Sequence, residues 1–565
     1  MIDNIARAIE CFDHGAFSDA ERLCREMLSA NPHNSQVRVL LGKTLQATGN
    51  AEAAQAEFQS VVKSAPTYVD AWLQWAKLLQ SLGQTSKAED CLRLGLTYAP
   101  DSIEVSDALA LLLMAAGKTE EASALLERAV ELSPHSHTSW FNLGAVRQRQ
   151  GKRDDAIAAY RHVIKLNAHI PEAHNNLGDL LKPDDWDAAV QAFEAALTLR
   201  PHYPDALDNL GVLYFLRGRI PEALEKFEQA LKHKPDFQRA MGHMTTALFI
   251  AGRLSEAWKL HRNRFVVAGL KNQPHGRFNI PVWNGESVQG KALLIWTELG
   301  LGEEILQAGM FPDALAVASK VTVECSPRLE KLFARSFPDI LFVPRTNPTR
   351  ASTVPISADY QIAGGDLGTI FRSDWEKFPN HAGYLVADAA KTQDFRKKYK
   401  GAGSKVVVGI SWASSQSNLG KDKTLSLAEF GPILKQSGAV FVNLQYAASP
   451  KEVAAVEAAL GLKIITDQAV DPSGDIDAVA AQVAAMDLVI SVSNTTVHMA
   501  GALNVPVWNI VPAHTASGMW HWFSDSGKSA WYPAMKIFRR TEQTSADLMA
   551  KLAAELQAFI EAARE

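Results

Sequence analysis

Cysteine, net charge and long apolar runs are all scarce in this sequence, and each shortage excludes a class of protein. Four cysteines in 565 residues show no metal-ligand spacing. They are Cys11, Cys24, Cys91 and Cys325. A net charge of −5 gives no basic field that would attract nucleic acid or an anionic membrane. No uncharged apolar run approaches the length that spans a bilayer, so membrane insertion is not expected.

The first twenty residues also lack the apolar stretch of a secretory signal. They are interrupted by four charged residues, Asp3, Arg7, Glu10 and Asp13. The expectation is therefore a protein of the reducing cytoplasm. Hydrophobic residues make up 47% of the chain and charged residues 21%, which is typical of a globular protein. A chain of this length predicts more than one domain.

Proline, glycine and alanine recur every 34 residues in the first half of the chain. The repeated positions are Pro at 32, 66, 100 and 134, Gly at 15, 49, 83, 117 and 151, and Ala at 20, 54, 88, 122 and 156. A 34-residue period with Gly between two helices and Pro after the second is the tetratricopeptide (TPR) signature. It predicts an all-α TPR superhelix at residues 1–270, with seven full repeats and a degenerate eighth.

Three consecutive repeats place Asn-Leu-Gly on the first helix, which lines the concave face of a TPR array. The asparagines are Asn142, Asn176 and Asn209. An amide donates and accepts at once, so a row of them is suited to clamp the backbone of a bound protein. The row resembles the asparagine ladder of the nucleocytoplasmic O-GlcNAc transferase. A purely structural role for Asn at this repeat position remains an equal alternative.

The sequence after the repeats predicts an α/β region made of two lobes. A Pro/Gly/Asn-rich linker is predicted at residues 271–290. The first Rossmann-like lobe, 291–400, begins with a strand at 291–299, a Gly300-Leu301-Gly302 loop and a helix opening with Glu303. Further strands are expected at 320–324 and 340–343, and no elements are assigned to 346–380.

The second Rossmann-like lobe is predicted at residues 401–540, followed by a C-terminal helix at 541–565. Its expected strands are 405–412, 440–444, 462–465, 487–492 and 505–511. A loop with Lys421 and Lys423 precedes a capping box formed by Ser426 and Glu429. Two such halves suggest a two-lobed transferase with a cleft between the lobes.

Four small polar residues stand between the strand at 487–492 and the helix after it. They are Ser493, Asn494, Thr495 and Thr496, and His498 follows one turn into the helix. Hydroxyls and free backbone N–H groups at a helix start form an anion site, which the helix dipole strengthens. The alternative is an ordinary Thr N-cap with a packed histidine.

Residues 487–540, with DLVISVSNTTVHMAGALNVPVWNIVP and WYPAMKIFRR, resemble the C-terminal signature of GT-B glycosyltransferases related to heptosyltransferases. The chain is more specifically similar to the bacterial class in which this domain follows a TPR array. LIWTELGLGEEILQA and GISWASSQSNLGKDKTLSL match two further blocks, so the resemblance covers residues 281–540. It implies a GT-B domain made of the two Rossmann-like lobes.

The resemblance also implies roles for individual residues. Glu303 matches the general base of the family, and Lys423 matches the basic residue that contacts the donor phosphate. The residues matching the donor-binding cluster are Asn494, Thr495, Thr496 and His498. Each has a simpler alternative: Glu303 is favourable at a helix N-terminus through the dipole alone, and Lys421 and Lys423 fit a solvated loop.

Ser493 is a departure from the family, since heptosyltransferases usually have Asp there to help hold the donor. The change argues against a heptose donor and permits another nucleotide sugar. The aromatic residues nearby suit either a stacking platform or packed core; they are Trp520, Trp522, Trp531 and Tyr532. Asp475 is expected to cap a helix rather than to bind ribose.

The expected activity is inverting, metal-independent glycosyl transfer without a cofactor. The donor is a nucleotide sugar, and the acceptor is a protein held by the TPR array. The resemblance points to Ser/Thr of flagellin as acceptor and a CMP-linked nonulosonic (sialic-like) acid as donor. Two alternatives stay open: a heptosyltransferase-like enzyme acting on lipid or envelope glycan, and a non-catalytic TPR adaptor with a degenerate transferase domain.

Overall fold

The computed structural model describes residues 2–182, 185–264, 278–298, 300–345, 357–400, 405–414, 424–512, 520–522, 527–540 and 545–564. The chain forms two compact units, Met1–Asn209 and Leu210–Glu565, which divide within one helix. None of the helices in these ranges is both long and apolar enough to span a bilayer.

Sixteen α-helices occupy the described residues up to 264, and they form eight TPR pairs. They are α1 (Ile2–Asp13), α2 (Phe17–Ala30), α3 (Ser35–Ala47), α4 (Ala51–Ser64), α5 (Val69–Ser81), α6 (Thr85–Tyr98), α7 (Ile103–Ala115), α8 (Thr119–Leu132), α9 (His137–Arg149), α10 (Arg153–Leu166), α11 (Pro171–Leu181), α12 (Trp186–Leu199), α13 (Pro204–Leu216), α14 (Ile220–His233), α15 (Gln238–Ile250) and α16 (Leu254–His261). The predicted repeat array is confirmed.

Small residues explain the pairing: every pair except α11–α12 has a glycine in its turn, and the second helices carry a repeated alanine. The turn glycines adopt positive φ, for example 84° at Gly49 and 73° at Gly151, which other residues rarely adopt. The repeated alanines of the second helices, such as Ala54 and Ala156, are fully buried. Within the pair α9–α10, a Cβ on Gly144 would lie 2.9 Å from the Tyr160 ring, so only glycine permits this approach.

The first sheet has four parallel strands in the order β3-β2-β1-β4. They are β1 (Ala292–Trp296), β2 (Lys320–Cys325), β3 (Leu341–Pro344) and β4 (Tyr360–Ala363). The accompanying helices are α17 (Leu301–Ala308), α18 (Phe311–Val317), α19 (Pro327–Ser336), α20 (Leu367–Phe371) and α21 (Ala389–Lys400), with short 3₁₀ turns at Gly364–Asp366 and Trp375–Lys377. β1 to β3 match the predicted strands, whereas β4 lies in the segment left unassigned.

The described part of the predicted linker, residues 278–290, is packed against this sheet. Trp283 and Val288 are buried, and Val282 forms a parallel bridge with Gln361 of β4. The side-chain amide of Gln361 donates to the carbonyl oxygens of Phe278 and Ile280. Proline and glycine there signal an irregular backbone, and the buried side chains of Trp283 and Val288 anchor it while most of the residues around them stay exposed. The predicted domain boundary at residue 270 lies outside the described residues.

The last TPR helices belong to the same compact unit as the sheets. The indole of Trp258 in α16 donates to the carbonyl oxygen of Arg372 at 2.8 Å, and a Cβ on Gly368 would lie 2.2 Å from its ring. Arg264, just after α16, forms buried ion pairs with Glu298 and Asp366. The eighth helix pair is therefore part of the core of the first lobe.

The second sheet has six parallel strands in the order β10-β9-β8-β5-β6-β7. They are β5 (Val406–Ser411), β6 (Ala439–Asn443), β7 (Ile464–Ile465), β8 (Leu488–Val492), β9 (Val507–Pro512) and β10 (Met535–Arg540). The helices are α22 (Gly431–Leu434), α23 (Pro450–Leu460), α24 (Ile476–Ala484), α25 (Thr495–Ala502) and α26 (Ser545–Ala562), with 3₁₀ turns at Leu427–Phe430 and Trp520–Trp522. Parallel α/β sheets in the second half are confirmed.

Strand order places a ligand edge in each sheet. The order in which the chain adds strands reverses between β1 and β4 in the first sheet and between β8 and β5 in the second. Open parallel sheets bind ligands beside the carboxyl ends of the strands at such a switch point. A ligand site is therefore expected at the loops after β1, β5 and β8.

Candidate functional site

A cleft of about 340 Å³ is lined by loops at the carboxyl ends of strands from both sheets. The first lobe contributes residues 300–303 after β1 and Arg328 after β2. The second lobe contributes Ala413 and Ser414 after β5, residues 493–496 after β8, and His498. The cleft brings together the predicted Glu303 and the predicted donor-binding cluster.

Glu303 is half-buried near the start of α17, and its carboxylate folds back over the preceding loop. A Cβ on Gly300 would lie 2.9 Å from Oε2 of Glu303, so glycine at this position makes room for the carboxylate. The side chain has no hydrogen-bond or ion-pair partner among the described residues and lines the cleft. A carboxylate without a protein partner in a cleft is available to a ligand.

Glu304, the next residue, has an entirely different environment. It is 1% exposed, and its Oε2 accepts hydrogen bonds from Thr297 Oγ1 at 2.7 Å and from the Ser326 backbone N–H at 2.9 Å. Its Oε1 pairs with Arg345 at 2.5 Å. Glu304 is therefore a buried structural carboxylate that ties α17 to β1 and β2.

Asn494 is the N-cap of α25 and joins the two loops at the switch point of the second sheet. Its Oδ1 accepts from the backbone N–H of Thr496 at 2.9 Å. Its Nδ2 donates to Ser411 Oγ at 2.7 Å and to the carbonyl oxygen of Ala413 at 3.2 Å. The cap is thus Asn494 rather than a threonine, and half-buried Thr495 and Thr496 line the cleft.

His498 lies on α25 and is 4% exposed. Its Nδ1 shares a hydrogen bond with the Tyr532 hydroxyl at 3.0 Å, and its ring stacks on Trp522 with centroids 5.0 Å apart. The Tyr532 oxygen is 3.5 Å from the hydroxyl of Tyr384, which donates to the carbonyl oxygen of Ile305 in α17 at 2.8 Å. This chain of contacts fixes the imidazole and links it to the helix of Glu303.

Burial raises the pKa of Tyr384 and of Tyr532 above the usual value of a phenol, so both remain neutral at physiological pH. Trp522, Trp531 and Tyr532 are buried, which favours packed core over an exposed stacking platform. The side chain of Trp520 lies outside the described residues. Among the described residues that line the cleft, Tyr446, after β6, has an exposed aromatic ring, and sequence reasoning did not single it out.

Ser493 lines the cleft but is 4% exposed. Its hydroxyl oxygen accepts a hydrogen bond from the indole N–H of Trp522 at 2.6 Å. The residue that departs from the family pattern therefore holds Trp522, the ring on which His498 stacks.

The predicted phosphate contact, Lys423, and its neighbour Lys421 lie outside the described residues. Among the described residues that line the cleft, one carries a permanent positive charge, and it is Arg328 at the start of α19. Sequence reasoning missed it, although it follows β2 closely, as Glu303 follows β1. The rule that functional groups gather at the carboxyl ends of parallel strands would have found it.

The TPR asparagines hydrogen-bond within the array. Asn209 Nδ2 donates to Asn175 Oδ1 at 2.9 Å, and Asn175 Nδ2 donates to Asn176 Oδ1 at 3.2 Å. Asn176 Nδ2 in turn donates to the Tyr160 hydroxyl at 3.2 Å. Asn142 is buried and does not take part in this row of hydrogen bonds. The structure thus joins two of the three predicted asparagines through Asn175, which the sequence did not indicate.

Two acidic residues near the start of α24 have structural partners. Asp475 caps the helix, as expected, by accepting from the Ala478 backbone N–H at 2.9 Å. Asp477 pairs with Arg335 and Lys331 of α19, which joins the two lobes. Across the described ranges, no three His, Cys, Asp or Glu side chains are grouped so that they would hold a metal ion.

Comparison with known proteins supports the TPR array. Three models described as tetratricopeptide repeat match residues 12–67 and 51–112, residues 103–146, and residues 146–182 and 179–237. Protein FlbA of Caulobacter vibrioides is 32% identical over 296 residues, which is 50% of this chain and 48% of FlbA. The chain therefore spans about half the length of the curated relative it matches.

Solved structures are similar at low identity. A tetratricopeptide repeat protein from Parabacteroides merdae has a TM-score of 0.34 and 16% identity, covering 42% of this chain and 94% of that one. PilF of Pseudomonas aeruginosa has a TM-score of 0.32 and 21% identity, covering 36% and 92%. The sequence models, together with the observed helix pairs, show that TPR repeats occupy residues 12–237 of this chain.

Proposed function

We propose that this protein is a GT-B glycosyltransferase that moves a sugar from a nucleotide donor to a Ser or Thr hydroxyl of a protein held by the TPR array. One observation supports it above the others. An unpaired carboxylate, Glu303, lines the same cleft as a capped helix start with two threonines, Thr495 and Thr496. A base and an anion site in one cleft are what glycosyl transfer from a phosphate requires.

In the proposed reaction, Glu303 takes the proton of the acceptor hydroxyl while that oxygen attacks the anomeric carbon of the donor. The new C–O bond forms as the bond from the anomeric carbon to the donor phosphate breaks. The nucleotide leaves with the electron pair and inversion results. Glu303 then passes the proton to solvent. The proposed reaction uses neither a metal nor a cofactor.

The leaving phosphate is proposed to sit at the start of α25. The hydroxyl-bearing side chains of Thr495 and Thr496 line the cleft there, and the helix dipole favours negative charge at the start of α25. His498 is fixed beside this place by Tyr532 and Trp522. Groups that are already oriented stabilise the developing charge without reorganisation.

The size and lining of the cleft suit such a donor. A volume of about 340 Å³ lies within the usual range of small-molecule sites. Leu444, Ile476 and Val479 form an apolar wall, and the exposed ring of Tyr446 is suited to stack on a base or sugar.

A protein acceptor is proposed because TPR arrays generally bind polypeptide segments. Flagellin as that protein and a CMP-linked nonulosonic acid as donor rest on the sequence resemblance. The cytoplasm as the place of action is proposed from the composition of the sequence. Of the predicted acceptor contacts Asn142, Asn176 and Asn209, the half-buried Asn176 is the one we propose to reach an acceptor, since Asn142 and Asn209 are buried.

Glu303→Gln tests the proposal in the full chain. It should abolish transfer to purified flagellin, read by intact-mass spectrometry, while donor affinity measured by calorimetry stays close to that of the unmodified protein. Glu376→Gln removes an exposed carboxylate of the same lobe outside the cleft lining and is the matched control. Full turnover by Glu303→Gln would refute the catalytic role. If no nucleotide sugar raises the melting temperature, the adaptor alternative replaces the proposal.

A further inference from the structure

Gln445 follows β6 and holds the loop after β5, although its own side chain does not line the cleft. Its Oε1 accepts hydrogen bonds from Ser411 Oγ at 3.0 Å and from two backbone N–H groups. These belong to Trp412, at 2.9 Å, and to Ala413, at 2.8 Å. Its Nε2 donates to the carbonyl oxygen of Tyr446 at 2.9 Å. Both ends of the side-chain amide are therefore engaged.

The backbone determines which way this amide faces. A backbone N–H only donates and a carbonyl oxygen only accepts. The oxygen of Gln445 must therefore face Trp412 and Ala413, and its NH₂ group must face Tyr446. Because an amide oxygen cannot donate, the Ser411 hydroxyl has to donate its proton to Gln445.

Ser411 passes this order on to Asn494, the cap of α25. Since its proton goes to Gln445, its lone pairs remain for a donor. The NH₂ group of Asn494 donates to Ser411 Oγ at 2.7 Å, and Oδ1 of Asn494 accepts from the Thr496 backbone N–H at 2.9 Å. A reversed amide would place its oxygen against the lone pairs of Ser411 and its NH₂ group against the N–H of Thr496.

The second acceptor of Asn494 is also held by Gln445. It is the carbonyl oxygen of Ala413, 3.2 Å from Nδ2 of Asn494, and the N–H of the same Ala413 donates to Gln445. Both groups that receive the NH₂ group of Asn494 thus lie on the loop that Gln445 holds.

We propose that Gln445 is a positioning residue of the phosphate site: by holding Ser411 and Ala413 it keeps Asn494 in the orientation that caps α25. The inference rests on the proposed function and adds a residue outside the cleft lining. Thr495 and the residue after it line the cleft directly, whereas Gln445 acts on them through Asn494. A site that is already ordered binds an anion more tightly than one that must be ordered on binding.

Calorimetry on the full chain tests this role with CMP and with inorganic pyrophosphate, which probes the anion site without a base or a sugar. Gln445→Met keeps the length of the side chain but has no amide oxygen. It should weaken binding of both ligands about 3- to 10-fold, the effect of one hydrogen bond. Ser411→Ala breaks the same path one step later and leaves the bonds from Gln445 to Trp412 and Ala413 in place. It should also weaken binding of both ligands.

The double variant Gln445→Met/Ser411→Ala distinguishes one shared path from two independent effects. If Gln445 acts through Ser411, the double variant should lose no more affinity than Gln445→Met alone. A purely structural role would lower the melting temperature and leave the affinity of the folded protein unchanged. Gln436→Met is the matched control, because Gln436 is a half-buried glutamine of the same lobe outside the cleft lining. It should change neither affinity.

Each other outcome overturns the assignment. Unchanged affinities in Gln445→Met would show that Gln445 only stabilises the fold, and additive losses in the double variant would show that it does not act through Ser411. If Gln445→Met does not fold, Ser411→Ala decides, and unchanged affinity there would refute the path. These results leave the transferase proposal intact. Failure of the unmodified protein to bind either ligand would overturn both proposals.

Discussion

Gly302 lies against His498: a Cβ on Gly302 would be 2.9 Å from Cδ2 of the imidazole. The first residue precedes Glu303 on α17 and the second belongs to α25, so this contact joins the two lobes beside the cleft. The absence of a side chain at Gly302 sets how closely the carboxylate and the anion site approach each other.

Gly302→Ala should therefore disturb the site. The imidazole is held by Trp522 and Tyr532, so it yields little, and we expect a loss of about 1–3 kcal/mol in unfolding free energy. Donor affinity should fall as well, which calorimetry would show beside a urea titration. Gly242→Ala, where no atom lies within 4 Å of the added Cβ, is the control and should be neutral or stabilising. Equal effects of the two variants would contradict the packing argument.

The adjacent glutamates should separate stability from activity. Glu304→Ala leaves the half-buried Arg345 guanidinium without its carboxylate and should lower the unfolding free energy by about 3–5 kcal/mol. Glu303→Ala removes a carboxylate without a partner and should change it by about 0.5 kcal/mol or less. Chemical denaturation measures both, and a destabilised Glu303→Ala would show an overlooked structural role.

Ser493→Ala should loosen the aromatic packing at His498. The variant leaves the buried indole N–H of Trp522 without an acceptor, which costs about 1–3 kcal/mol. Thermal unfolding with and without nucleotide sugar measures the change. An unaltered melting temperature would mean that the indole finds another acceptor and that Ser493 does not position the ring.

His261 should make stability depend on pH below neutrality. Burial, reinforced by the nearby Arg264 guanidinium, holds the pKa of His261 well below its usual value of 6.5. The unfolded chain therefore binds a proton below pH 6.5 that the folded chain does not. The unfolding free energy falls by about 1.4 kcal/mol per pH unit, from 6.5 down to the folded pKa. In His261→Gln the unfolding free energy should depend less on pH between 6.5 and 5 than in the unmodified protein. The difference in unfolding free energy between the two proteins at pH 8 is the reference. Parallel curves would contradict it.

Asn209→Ala tests the hydrogen-bond chain in the TPR array. It leaves the buried Oδ1 of Asn175 without its donor, and we expect a loss of about 1–3 kcal/mol in unfolding free energy. Denaturant unfolding of the full chain measures it. Unchanged stability combined with weaker flagellin binding would favour the predicted acceptor role of the asparagine instead.

Local patterns located most of the secondary structure. β1, β2, β5 and β8 match apolar runs in the sequence, because a strand buried on both faces has few alternatives to a continuous apolar segment. β4 was not recognised, since its four residues contain polar Gln361, whose amide is buried only because Phe278 and Ile280 accept from it. A distant partner of the same kind fixes the described part of the predicted linker, because the backbone N–H of Trp283 donates to the carbonyl oxygen of Gln361.

The sequence by itself determined the TPR pairs and the polar helix start at residues 493–496. Turn glycines, small packing residues and helix caps act over a few residues and need no distant partner. Only the tertiary structure decided that Glu303 faces the cleft while Glu304 is buried, that Gln445 holds the loop after β5, and that His498 stacks on Trp522. Those outcomes depend on side chains far apart in the chain, and a charged residue becomes structural or available to a ligand according to which partner the fold brings to it.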